Sequence, residues 1–137
     1  MAKEGDYSPA HEVFSQHADE TRSQHERLTA RIEALGGSPS GLKTIAAHIF
    51  NFSPKAAQLG HDSAEKSSQN LIIAFTVENS EVAMYEALAT VAAAAGDIQT
   101  EHLAREIQEE ERRASHRIWH LIAPSSRGAF DKIAQAA

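Results

Sequence analysis

The sequence predicts an all-α protein. Apolar residues recur at helical spacing over long stretches, and no segment alternates with the period of two that a half-buried strand needs. Helix start and stop residues punctuate those stretches. Two or three of the expected helices run to about 25–33 residues, or roughly 40 Å at ~1.5 Å rise per residue, which implies an elongated bundle.

Each element has its own signals. Ser8-Pro9 reads as an N-cap followed by proline in the first turn, and Gly36-Gly37 closes a first helix over about 9–35. The loop "GGSPSG" follows, then a weaker helical segment over about 41–58, interrupted at Ser53-Pro54 because proline removes a helix hydrogen bond. Asp62 and Glu65 have the spacing of a capping box and open a helix over about 62–95, with Gly96 as its stop. Asp97 caps a last core helix over about 98–122, ahead of Pro124. The tail "GAFDKIAQAA" is expected to add a short terminal helix.

The 137 residues suit a single domain, 1–137, and a composition 42% apolar and 23% charged is that of a globular chain. Only 6% is aromatic and alanine is abundant, which favours helices packed closely through small side chains. A net charge of −6 without any basic face argues against nucleic acid and anionic membrane as partners. No apolar run approaches the ~18 residues of a membrane span, and the N-terminus does not read as a signal peptide, so a cytoplasmic protein is expected. With no cysteine, disulfides and thiolate metal sites are excluded.

The chemistry lies where the helical pattern is violated. In "VENSEVAMYEAL" the apolar stripe is Leu71, Ala74, Val77, Tyr85, Leu88 and Ala92, and Glu81 and Glu78 fall inside it. Thr76, Asn79, Glu86 and Thr90 occupy the opposite, wet side. In the last helix Glu111 sits amid Ala104, Ile107, Ala114, Ile118 and Ile122, with Ser115 beside it. The first helix has a stripe of Phe14, Leu28, Ile32 and Leu35, interrupted by His17, Thr21, Gln24 and His25. A buried carboxylate without a partner protonates rather than stay charged. Three facing one core call for a counter-charge, and a metal ion held by carboxylates and an imidazole supplies it. The competing reading keeps the glutamates at stripe edges, reaching water or pairing with an arginine such as Arg22 or Arg112.

At these residues the chain resembles a known group. "VENSEVAMYEALATVAAAAGD" is similar to the third core helix of the YciF/YciE-like stress proteins, a ferritin-like group catalogued as a domain of unknown function. The pattern Glu-x-x-Glu-x-x-x-Tyr falls on Glu78, Glu81 and Tyr85. "EEERRASHRIW" resembles the group's fourth helix, with Glu110 and Glu111 matching its acidic pair and Ser115 standing where an acidic residue is expected. "SPAHEVFSQHADETRSQHERL" is similar to its second helix, through His17, Glu20, Thr21 and Gln24. The resemblance covers about residues 8–122 and is loose over 38–70. Segments 19–27 and 110–118 also resemble each other, aligning Glu20 with Glu111 and Gln24 with Ser115, as a pseudo-symmetric bundle implies.

The resemblance implies a ferritin-like bundle that binds iron or manganese through Glu78, Glu81 and Glu111, with Glu20, His17 and Gln24 as further ligands. Its activity would at most be that of a di-metal oxidase or a peroxide-consuming enzyme, in a stress setting. Two departures stand against it: the group's first helix has no counterpart ahead of Ser8, and the Glu-x-x-His motif is absent. The expected consequence is a degraded or mononuclear site, or one completed in a homodimer. The alternative is a metal-free structural or interaction bundle. On the first helix periodicity turns His17 and His25 inward, whereas the resemblance turns Glu20 and Gln24 inward. His116 and His120, though spaced i,i+4, fall with His102 and Glu109 on a solvated face.

Overall fold

The computed structural model describes residues 9–38 and 63–137, and every regular element among them is a helix. Helix α1 spans Pro9–Ala34, α2 Ser63–Ala94 and α3 Ile98–Ala136. The expected segment 41–58 and the Asp62 cap lie outside the described residues.

The stops of α1 and α2 are built alike. Gly36 and Gly96 adopt the left-handed conformation, with φ of 79° and 72°. The amide after each bonds back to a carbonyl five residues earlier, Gly37 to Ile32 and Asp97 to Ala92, both at 2.9 Å. Glycine alone adopts this backbone at no steric cost, which is why both turns close there. Asp97 then caps α3 by accepting the Thr100 amide at 3.0 Å.

A turn this short makes α2 and α3 antiparallel neighbours. Ser68 meets Ser126, Asn79 meets Ser115, and Gln108 meets Glu86, each step up one helix matching a step down the other. Helix α1 lies along α3, tied at one end by Arg31 to Asp97, Gln99 and Thr100, and further along by Arg27 to Glu110. The core between the rods is mostly alanine and aliphatic: Leu71, Ala89, Ala92, Ala104, Ile107, Ala114, Ile118 and Ala129. Among the described residues no helix is long and apolar enough to cross a membrane.

Four expectations need correction. Helix α3 does not stop near Ile122; it runs through Pro124 to Ala136, absorbing the expected tail helix. Proline deprives the His120 carbonyl of its helical donor, but both residues face water, which can substitute, while Ala129 and Ser126 still pack on α2. Leu35 and Leu88 are exposed rather than in the core, and Ala89 takes the inward place on α2. His25 points outward. Arg22 and Arg112 pair within their own helices, with Asp19 and Glu109, and leave the inward glutamates alone.

Helix α2 is apolar on two sides. Besides its buried face it shows Met84, Leu88 and Val91 to the outside, at spacing i, i+4, i+7, with Val91 66% exposed. On α3, Trp119 is 57% exposed and tilts against Phe75 at 5.2 Å between ring centroids.

Candidate metal centre

One side chain from each helix meets at a single level of the bundle. Glu78 of α2 and Glu111 of α3 lie near facing positions of the antiparallel pair, and His17 of α1 reaches both. His17 Nε2 is 2.9 Å from Glu78 Oε1. One ligand atom from each of the three lies within 4.8 Å of the other two.

The acids are dry. Glu111 is 0% and Glu78 3% exposed. Both Glu111 oxygens, Glu78 Oε2 and His17 Nδ1 are buried with no partner as long as the acids are charged. Only a proton shared between the Glu111 carboxyl and those of Glu78 and Glu81 could bond the oxygens. Buried polar groups are nearly always bonded, so four such atoms in one spot mark an unmet demand.

Their protonation follows from that burial. Desolvation first, then the neighbouring Glu78 and Glu81 carboxylates, push Glu111 up to about 10. Burial and then the Glu78 charge raise Glu81 to about 7. Burial also acts to raise Glu78, but its hydrogen bonds to His17 and to Glu111, then the charges of His17 and Arg117, prevail, and the net shift is downward. The bond to Glu78 holds His17 above its usual value against the opposing effect of burial. Tyr85, one turn beyond Glu81, is pushed well up by burial and then by the Glu81 and Glu111 charges. In the fold, then, His17 and Glu78 each favour the charged form of the other, and burial favours a proton on Glu111.

The remaining candidates sit around this group rather than in it. Glu81 is half-buried beside it. Glu20 is paired with Arg117 and accepts from Gln16 at 3.1 Å; its nearest approach to His17 is 4.0 Å. Gln24 is buried, but its amide donates to Glu110 Oε2 at 3.1 Å, an oxygen that also holds Arg27 at 2.6 Å. Ser115 accepts from Asn79 at 2.9 Å. His116 and His120 face water, their Nε2 atoms 3.2 Å apart.

The family model described as "Domain of unknown function (DUF892)" matches residues 1–129. The chain belongs to the DUF892 family. No curated protein and no solved structure matches it. In this DUF892 member, two polar residues of the centre's surroundings escaped sequence reasoning. Gln108 is buried, donating to the Val82 carbonyl at 3.0 Å and to Glu86 at 2.8 Å; its place beside Ile107 and Glu111 on the α3 stripe was the available signal. Arg117, which claims Glu20, left no signal in the periodicity, because a long side chain reaches sideways from a half-wet position.

Proposed function

We propose that this protein is a ferritin-like bundle of the YciF-like type whose His17, Glu78 and Glu111, with Glu81 alongside, bind iron or manganese. The observation that carries the reading is Glu111, wholly buried with no cationic partner and with a second carboxylate and an imidazole next to it. Carboxylates and one imidazole form the donor set that suits these ions, so the residues present fit the group. A bound ion would supply redox chemistry toward oxygen or peroxide, in keeping with a stress-related role. The chain's part is to hold the cation, keep water out through the surrounding alanine and aliphatic packing, and release the protons that metal displaces. Metal content tests the reading directly. Protein purified without chelator, or reloaded with Fe(II) or Mn(II), is expected to carry tightly bound metal, and a preparation that takes up neither ion rejects it.

One observation favours a second reading, a metal-free structural bundle. Burial pushes Glu111 up to about 10 and Glu81 up to about 7, which favours their protonated forms and lowers the buried charge without any ion. The loading experiment separates the two readings.

We also propose a homodimer in the cytoplasm, with no role for nucleic acid at a net charge of −6. Its support is the outer apolar face of α2, where Met84, Leu88 and Val91 would be covered by a second copy. Light scattering at micromolar concentration is expected to give twice the chain mass; a stable monomer excludes the dimer.

A further inference from the structure

We infer that Arg117 stands in for a second metal ion, so that the centre accepts one divalent cation per chain. The inference rests on the metal reading above and deepens it.

Ligand supply is the first argument. Dinuclear carboxylate bundles draw on two imidazoles and four carboxylates. Among the described residues one imidazole, His17, and three carboxylates, Glu78, Glu81 and Glu111, are at hand. The fourth acid that could serve, Glu20, is engaged by Arg117 Nη2. Gln24 donates its amide to Glu110 and approaches Glu111 as a donor, not as a ligand oxygen. What remains suffices to ligate one ion.

Charge is the second. Arg117 comes from α3, less than two turns beyond Glu111, and its Nε is buried without a partner. A guanidinium does not lose its proton, so this is a permanent positive charge tethered beside the carboxylates. Four carboxylates against Arg117 leave three negative charges with His17 neutral. One divalent ion reduces that to one, which a single retained proton cancels. A second divalent ion would turn the balance positive in a dry interior, where an unbalanced charge is costly. Arg117 thus neutralises Glu20 and occupies the flank from which another cation would be held.

Stoichiometry is the test. Metal-free protein is titrated anaerobically with Fe(II), and separately with Mn(II), then desalted and analysed for metal per chain. Wild type is expected to retain one ion. Arg117→Leu, which frees Glu20 and removes the positive charge, is expected to approach two, whereas Arg117→Lys keeps the charge and stays at one. Arg117→Gln serves the same purpose should the leucine variant lose its helical circular dichroism. Two ions in wild type, or one ion in a folded Arg117→Leu or Arg117→Gln protein, overturns the inference while the metal reading stands. No ion in wild type removes the metal reading itself, and this inference with it.

Discussion

Replacing Glu111 with leucine is expected to abolish metal loading and, in metal-free protein, to raise the melting temperature. The carboxyl is fully buried, and its desolvation is offset only by the proton it shares with the neighbouring carboxylates, which leaves burial as the largest effect on it. Removing such a group recovers about 1–3 kcal/mol, or roughly 5–10 °C for a chain of this size. Glu111→Gln is the control: it keeps the polar, unpartnered burden and should gain little. Adding Mn(II) then reverses the order. At a free concentration about 100-fold above Kd, binding stabilises wild type by about 2.7 kcal/mol and leaves the leucine variant unmoved. Thermal melts with and without metal check both halves. If Glu111→Leu is the less stable protein in chelator, the carboxyl has partners after all, and the site loses its rationale.

A second large effect is the pH dependence of the metal-free fold. Glu111 and Glu81 are raised to about 10 and about 7, from a usual value of 4.5. Below about 4.5 they are protonated both folded and unfolded and cost nothing. Above it the unfolded chain releases protons that the folded one retains, so stability falls as pH rises toward those folded values. The slope is up to about 1.4 kcal/mol per pH unit for each proton. His17 has the same sign: raised from 6.5, its contribution is complete below that value and lost as pH climbs through its folded one. Glu78 has the opposite sign. Lowered from 4.5, it contributes above that value and loses its contribution as pH falls through its folded one, which limits the acid side. Urea unfolding in chelator should therefore show a maximum near pH 5 and a decline from there to pH 8. Metal reverses the trend, because the ion must displace those protons and binds more tightly as pH rises. Stability that increases from pH 5 to 8 without metal would contradict the buried-acid account.

The inward-facing glutamates were legible in the sequence. Glu78 and Glu111 interrupt apolar stripes, and both prove to be buried, because a long regular helix carries its sequence period into space unchanged. The glycine stops and the Asp97 cap were legible for a similarly local reason: a left-handed residue or a capping carboxylate acts within a few residues of itself. On α1 neither reading was sufficient alone. Periodicity placed His17 correctly and His25 wrongly, and the family pattern placed Gln24 inside but did not foresee Glu20 captured by Arg117. The choice between them depends on how α1 is rotated against α3, which the α1 sequence does not contain.

Pro124 marks the same boundary from the other side. Local rules end a helix there, and packing of Ala129 and Ser126 on α2 carries it a further three turns.

By itself, the sequence determined that this is a chain of long helices and which of their faces are apolar, where two of them stop, and that acids interrupt two of the stripes. These are properties of residues a few places apart, acting through the helix period and backbone sterics. Only the tertiary structure decided which acids share a dry interior with His17, which one is taken by Arg117, and how far α3 runs. Those outcomes turn on contacts between residues some 30 to 100 positions apart, such as Asn79 with Ser115 and Glu20 with Arg117, where desolvation and charge balance exist only once the helices are side by side.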